Sequence, residues 1–210
     1  MQRDQYSEHE IHMAVYADDV ALWTVSTPYK RKKTVEELQR VLNNVVYHLK
    51  QLGQEVSAEK TNFIKYAEKT RRFQPKIFIN NKQVNRKNIM TYLGMQLDSR
   101  LSFGPAATQA VRGMRQHTNI LRRLCGNSWG TSQTMMLQLY HGLVLSRPLY
   151  ALPLASLMPR HLEMLERAQR VALRICLGIP RGAPSQPTLV EANAATVEHQ
   201  LEHRALRHLI

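Results

Sequence analysis

The hydrophobic pattern of this chain changes near residue 100, and that change limits the folds available to it. Before it, apolar residues occur in short runs rich in β-branched and aromatic side chains, which is typical of strands. These runs cover residues 13–16, 20–25, 63–66, 77–79 and 92–97. After Pro105 the apolar residues recur every three or four positions, which is the helical period. We therefore expect an α+β first part followed by an all-α helical bundle.

One amphipathic helix interrupts the strands of the first part. Its apolar residues recur at helical spacing between Val35 and Leu52, which gives the helix one face to lie across the strands. Thr34 and Glu37 have the spacing of a capping box at its start. Gly53 follows the last apolar residue, and glycine is common just beyond a helix end. The sequence thus predicts a helix that starts at Thr34 and stops at Gly53.

The second part is predicted to hold several helices separated by glycine and proline. The pattern predicts a helix up to Gly126, one between Thr131 or Ser132 and Pro148, and one between Pro159 and Gly178. Residues 179–187 are rich in proline and glycine and are predicted to form a loop before a last helix or pair of helices. We divide the chain into a polar lead (1–12), a strand-rich part (13–104), a helical part (105–178) and a helical extension (179–210).

The charge of the chain indicates an anionic partner. Its 29 Lys and Arg against 16 Asp and Glu give a net charge of +13 and a pI near 10.1, which is typical of proteins that bind nucleic acid or an anionic surface. The first twelve residues are polar, and no apolar run approaches the roughly 20 residues of a membrane span. Cys125 and Cys176 form no Cys-x-x-Cys pair. We expect an intracellular protein, nuclear or cytoplasmic, with no membrane contact and both thiols in the core.

A single motif carries candidate chemistry. Tyr16-Ala17-Asp18-Asp19 places two adjacent carboxylates between two apolar, strand-like runs, so we expect a hairpin with acids at its tip. Aspartates are also common in ordinary turns, which is the alternative interpretation. However, the turn lacks the glycine of a relaxed hairpin, and adjacent carboxylates repel unless a cation neutralises them. A hard divalent ion such as Mg²⁺ prefers such oxygen ligands.

These residues resemble those of a known enzyme family. Tyr16-Ala17-Asp18-Asp19 resembles the polymerase signature of reverse transcriptases, and its surroundings resemble those of non-LTR (LINE-like) retrotransposons. The segment 52–61 is similar to the next family block, Gly-Leu-x-Leu-Ser-x-x-Lys-Thr, and the segment 92–103 resembles the primer-grip block. The segments 129–140 and 165–180 resemble the helical thumb and downstream region. Together these segments follow the family's order and cover nearly the whole chain.

The resemblance implies an RNA-directed DNA polymerase with a two-metal mechanism of nucleotidyl transfer. It implies the C-terminal part of a palm over residues 13–104 and a thumb-like bundle over 105–178. Its partners would be an RNA template, a DNA primer and deoxynucleoside triphosphates, with Mg²⁺ as cofactor. Asp18 would be the more direct metal ligand, Asp19 its partner, and Lys60 a proton donor to the leaving pyrophosphate. Tyr92, Leu93 and Gly94 would hold the primer terminus.

Basic residues offer further contacts with nucleic acid. By the thumb resemblance, Arg112 and Arg115 would face the template-primer duplex, together with Arg122 and Arg123. The clusters 30–33 and 60–87 are dense in lysine and arginine, which suits a phosphate backbone. The alternative interpretation of these cations, including Lys60, is that they are solvated surface charges. The alternative interpretation of residues 92–94 is a buried strand with a bulge at its glycine.

The chain also departs from the family pattern. The family needs a third carboxylate and a nucleotide-binding surface upstream of the signature, and no block in residues 1–15 matches them. Glu55 stands where relatives have an apolar residue. We therefore expect a C-terminal fragment of the enzyme that does not extend primers alone. The alternatives are a non-catalytic basic module that binds nucleic acid, and a helical structural or interaction protein.

Overall fold

A computed structural model describes residues 10–66, 73–126 and 130–209, with side chains described as far as residue 207. The chain divides into two compact units, the first ending at Lys87 and the second beginning at Asn88. Strands and one long helix form the first unit, and a hairpin followed by helices forms the second. The expected mixture of helices and short strands is therefore confirmed.

The first unit begins with an antiparallel hairpin of β1 (Ile11–Tyr16) and β2 (Asp19–Thr24). Helix α1 (Arg31–Gln51) follows and contacts β2. The remaining strands are two residues long: β3 (Asn62–Phe63) runs parallel to β6 (Asn85–Arg86), and β4 (Phe78–Ile79) pairs antiparallel with β5 (Lys82–Gln83). A small core joins α1 to the short strands and the segments next to them. Its buried residues Ile77, Ile79 and Val84 pack against Leu38, Leu42, Val46, Val56, Ala58 and Phe63.

Helix α1 starts earlier than the sequence predicts. It begins at Arg31, so Thr34 lies inside the first turn and the capping-box prediction is wrong. The Thr34 hydroxyl lies within hydrogen-bond distance of two acceptors, the Lys30 carbonyl oxygen at 3.1 Å and the Ser26 hydroxyl at 3.0 Å, and the residue is buried. Threonine can bond backward to the preceding turn as well as cap, and here it does so. The end is as predicted, with Gly53 at φ 77° just beyond the helix.

Two strand predictions need correction. The predicted strand over 63–66 is reduced to Asn62–Phe63, and Tyr66 is exposed. The run 92–97 is not one strand: it contains the last residue of β7 (Ile89–Tyr92), a turn at Leu93 and Gly94, which both have positive φ, and most of β8 (Met95–Asp98). Positive φ at both central residues closes a two-residue hairpin turn.

The second unit contains this β7–β8 hairpin together with the helices. Its helices are α2 (Gly104–Leu124), α3 (Gln133–Leu139), α4 (Ser146–Ala151), α5 (Pro159–Leu177), α6 (Ser185–Glu191) and α7 (Val197–Leu209), with a π-helical segment (Tyr140–Leu145) between α3 and α4. Met95 of β8 packs against the helical core, which explains why the unit starts at Asn88 rather than near residue 105. Helix α6 occupies part of the predicted 179–187 loop.

The core of the second unit lies mainly between α2 and α5. Met114, Leu121, Leu165 and Leu173 are fully buried there with the π-helical residue Tyr140. Burying a side chain of this size contributes about 2 kcal/mol. Gln169 lies in the same core, and its amide donates to the Tyr140 hydroxyl at 2.9 Å and to the Ala195 carbonyl oxygen at 2.8 Å. The core therefore includes a polar link between three segments of the unit.

Proline does not end the helix before it as predicted. Pro148 lies inside α4, and the chain stays helical from Gln133 through Ala151. Proline has no N–H, and its ring clashes with the carbonyl four residues earlier, here Val144. The turn that contains Val144 is π-helical, and such a wider turn moves that carbonyl out of the ring's way. The proline thus accounts for the π-helical segment.

Other helix ends agree with the sequence. The Ser132 hydroxyl accepts a bond from the Met135 amide at the start of α3, α5 begins at Pro159, and Gly178 ends it with φ 68°. Cys176 is buried as predicted, but Cys125 is exposed just beyond the end of α2. Within the described ranges, the structure contains no helix with both the length and the apolar character of a membrane span.

Candidate metal-binding hairpin and nucleic-acid interface

The two candidate metal ligands lie at the tip of the β1–β2 hairpin. Tyr16 pairs with Asp19 as the last rung, and Ala17 and Asp18 form the two-residue turn. Ala17 takes φ 51°, a conformation that costs an L-residue about 1 kcal/mol. The predicted hairpin with acids at its tip is therefore confirmed, although a strained alanine closes it in place of glycine.

The carboxylates of Asp18 and Asp19 face solvent. Both residues are exposed, and neither side chain forms a hydrogen bond or ion pair with another described residue. Asp19 shares a face of the hairpin with Tyr16, because residues directly opposite each other project to the same side. The next pair on that face, Ala14 and Ala21, has the smallest side chains of the hairpin, so little bulk stands beside Asp19. The pair of acids is thus accessible and unneutralised.

This donor set suits Mg²⁺ in its chemistry. Mg²⁺ takes oxygen ligands, keeps several waters, and is commonly held by one or two carboxylates together with substrate phosphates. Asp18 and Asp19 supply two such carboxylates. The described residues contain no group of three or more His, Cys, Asp or Glu side chains able to hold a metal. The pair therefore fits a site completed by phosphate and water rather than a closed protein cage.

Lys60 lies in the same unit as the two aspartates but does not contact them. It sits in a turn fixed by its own backbone, where its amide donates to the Ser57 hydroxyl and its carbonyl oxygen accepts from the Asn62 side chain. Its side chain is exposed, and no described carboxylate, including Asp18 and Asp19, is within ion-pair distance of it. The structure thus holds the Lys60 backbone and leaves its amine in solvent.

The segment from Tyr92 to Gly94 forms a tight turn that a helical residue holds in place. The Tyr150 hydroxyl of α4 donates to the Leu93 carbonyl oxygen at 2.8 Å. The Tyr150 ring also lies beside Gly94, within 3.5 Å of where a β-carbon would be. Nothing in the sequence around Tyr150 signals this role, because the two residues lie 57 positions apart. The interpretation of 92–94 as a buried strand with a bulge is wrong.

Asp98, at the end of the same sequence block, has a structural role. It is buried, and its carboxylate accepts from the backbone amides of Ser102 at 3.1 Å, Phe103 at 3.0 Å and Arg100 at 3.3 Å. Burial acts to raise the pKa of Asp98, but the hydrogen bonds from Ser102, Phe103 and Arg100 outweigh it and hold that pKa below its ordinary value. The carboxylate therefore fixes the loop that leads into α2.

Arg112 and Arg115 project from α2 into solvent. They lie three residues apart, so they are neighbours on the helix surface. Ala110, Val111 and Met114 turn into the core instead. Arg122 and Arg123 are also exposed in the last turn of α2, and the Arg122 side chain donates to Asn119. The predicted duplex-facing arginines thus form an accessible basic surface on one helix.

The basic clusters of the first unit have mixed environments. Arg31, Lys32 and Lys33 form the start of α1, with no acid in the first turn; cations there oppose the helix dipole. Lys65 is half-buried, and its amine donates to the Phe73 carbonyl oxygen at 2.8 Å. Burial lowers the pKa of Lys65, and the charges of Arg31 and Arg86 lower it further. Lys69, Arg71 and Arg72 of the predicted stretch lie outside the described residues.

The candidate residues divide between the two units. Asp18, Asp19 and Lys60 belong to the first, and residues 92–94, Arg112 and Arg115 to the second. No family model, no curated protein and no solved structure matches this chain. The interpretation of both sites therefore rests on the residues and their geometry.

Proposed function

We propose that this chain contributes part of the palm and the thumb of an RNA-directed DNA polymerase of the non-LTR retrotransposon type. The observation that carries the proposal is the Tyr16–Asp19 hairpin, which presents two accessible carboxylates, with no ion-pair partner among the described residues, at a tight turn between apolar strands. Two like charges at the tip of a basic protein's hairpin are unfavourable without a cation. A divalent cation held by Asp18 and Asp19 would remove that cost.

Each group would have a distinct task in this mechanism. Asp18 and Asp19 would hold Mg²⁺, with Asp18 the more direct ligand. When bound, such an ion polarises phosphate oxygens and lowers the pKa of a coordinated hydroxyl. Lys60, with its backbone fixed and its amine in solvent, would protonate the leaving pyrophosphate. Leu93 and Gly94, held by Tyr150, would support the primer end.

The metal site can be tested with Mn²⁺ as a probe. Mn²⁺ broadens the NMR signals of nearby nuclei, so we expect the backbone amides of residues 16–20 to broaden first in a titration of the whole chain. Asp18→Asn should require several-fold more Mn²⁺ for the same effect, because one of two carboxylates is lost. Glu55→Gln, an exposed acid in a loop of the same unit, is the matched control and should behave like the parent chain.

The outcome that would contradict the metal site is equal broadening at residues 16–20 in the Asp18→Asn and parent chains. The same preparation should show no Mg²⁺-dependent primer extension, because the described residues supply no third carboxylate beside the pair. Extension that disappears in Asp18→Asn would refute that part of the proposal.

A second candidate function is a nucleic-acid-binding module without chemistry. It is favoured by the exposed arginines of α2 and by the basic start of α1, whose charges oppose the helix dipole and so gain from an anionic partner. The Mn²⁺ experiment separates the two candidates. Salt-dependent binding to an RNA–DNA hybrid without Mn²⁺ binding at the hairpin would favour the module over the polymerase.

A further inference from the structure

A groove in the second unit contains an arginine in a fixed orientation. It lies between α2 and the π-helical segment with α4, and it encloses about 240 Å³. Its walls are His117, Gly142, Leu143, Ser146, Arg147 and Tyr150. No acid is among them, so Arg147 gives the groove a net positive charge.

Arg147 is held at two points along its length. Its methylene groups lie over Gly113 of α2, where a β-carbon would be 3.5 Å from Cγ. Its Nη2 lies 3.5 Å from His117 Nε2. His117 Nδ1 lies 2.7 Å from the Gly113 carbonyl oxygen, and a carbonyl only accepts, so Nδ1 carries the proton of this bond. The Nε2 lone pair is therefore directed at the arginine.

The guanidinium keeps most of its donors free for a ligand. Arginine has five N–H donors, and the bond with His117 uses one of them. Within the ranges that the structure describes, no carboxylate is close enough to Arg147 to form an ion pair. An arginine that no carboxylate pairs with is suited to a phosphate, which its planar fork binds with two parallel bonds.

The surroundings of the groove favour a polynucleotide as the source of that phosphate. From Asn88 onward the chain has thirteen arginines and no lysine. Gly113, which supports the Arg147 stem, lies in sequence between the exposed Arg112 and Arg115. Tyr150 borders the groove on the other side and bonds to the Leu93–Gly94 turn. The groove thus borders the helix that carries these two exposed arginines, and Tyr150 connects it to the Leu93–Gly94 turn.

We propose that this groove binds one backbone phosphate of a nucleic-acid strand, with Arg147 as the ligand-contacting residue and His117 as its positioning residue. The inference rests on the proposed function only in that the ligand is a nucleic acid. It requires neither the metal site nor catalysis.

The test measures binding of the whole chain to a fluorescein-labelled RNA–DNA hybrid at pH 8 over a series of salt concentrations. Arg147→Gln should lower the affinity about tenfold, since bonds to charged groups are strong, and should reduce the salt slope by about one. Arg204→Gln, an exposed arginine of α7 outside the groove, is the matched control. It should leave the affinity within about twofold.

Two variants test the groove without removing a charged side chain. His117→Ala removes the ring that orients Arg147 and keeps the Arg147 charge, so it should lower the affinity several-fold and leave the salt slope unchanged. Gly142 lines the groove, and a β-carbon added there would meet no atom within 4 Å. Gly142→Leu should therefore fill the groove, and leucine favours a helix. Gly182→Leu, at another glycine with open space, should bind like the parent chain.

The outcomes separate this proposal from the function on which it rests. Salt-dependent binding that is equal in the parent, Arg147→Gln and Gly142→Leu chains would overturn the groove and leave nucleic-acid binding intact. Absence of salt-dependent binding by the parent chain would overturn both. An Arg147→Gln loss without any effect of His117→Ala would also refute the positioning role.

Discussion

Asp98 offers the sharpest test of how the second unit is held together. Its carboxylate accepts three backbone N–H groups in a loop where Leu101 and Phe103 take φ 50° and 54°. Each of those conformations costs an L-residue about 1 kcal/mol or more, so the loop depends on the carboxylate. Hydrogen bonds to a charged acceptor contribute about 1.5–3 kcal/mol each, although they are not additive. We expect Asp98→Ala to lower the free energy of unfolding by about 3 kcal/mol.

The pH dependence of this effect has a definite sign. The folded pKa of Asp98 is lowered from its ordinary value of 3.8. Its contribution to stability is therefore complete above pH 3.8 and is lost as the pH falls through the lower folded pKa. The difference in stability between the parent chain and Asp98→Asn should be large at pH 7 and should shrink as the pH falls below 3.8.

Urea unfolding followed by helical circular dichroism measures both effects. Glu202→Gln, an exposed acid of α7, is the control and should change stability by less than about 0.5 kcal/mol. An Asp98→Ala chain as stable as this control at pH 7 would refute the capping role. A difference for Asp98→Asn that stays constant between pH 7 and pH 2.5 would refute the assigned pKa direction.

Three further predictions concern the same unit. Tyr150→Phe removes the bond to the Leu93 carbonyl oxygen, so the amides of the β7–β8 hairpin should exchange hydrogen several-fold faster while those of α5 stay unchanged. Gly94→Ala should lower stability by about 1 kcal/mol because φ is 82° there; unchanged urea unfolding would contradict this. Burial, reinforced by the charge of Cys125, raises the pKa of Cys176 to about 12, so a thiol reagent at pH 8 should label Cys125 in the native chain and reach Cys176 only after denaturation.

Most sequence predictions that the structure confirms depend on residues that are close together in the chain. The β1–β2 hairpin, the Ser132 cap, the Pro159 start and the Gly178 end were all predicted, and each depends on residues within one turn. The capping box at Thr34 failed although it is equally local. A threonine hydroxyl can cap a backbone amide at a helix start or bond back to the carbonyl of the preceding turn. Thr34 bonds to the Lys30 carbonyl oxygen, because the helix starts at Arg31 and Thr34 already lies inside it.

The catalytic assignments concern what the residues bind, in addition to where they lie. Asp18 and Asp19 were predicted at a hairpin tip, and the geometry there is as expected. The Mn²⁺ titration above tests their role as metal ligands, and the roles of Lys60 as a proton donor and of Arg112 and Arg115 at a duplex remain predictions. Local geometry shows where these groups lie and how exposed they are, and binding measurements decide what they hold.

The sequence by itself determined the alternation of strands and helices, the acidic hairpin tip and the basic character of the whole chain, because period, turn chemistry and charge are properties of neighbouring residues. Only the tertiary structure decided which residues act together across the chain. Tyr150 reaches Leu93 over 57 positions, and Arg147 reaches His117 over 30. Such contacts form when helices pack, and packing depends on the shapes of whole faces rather than on any local pattern.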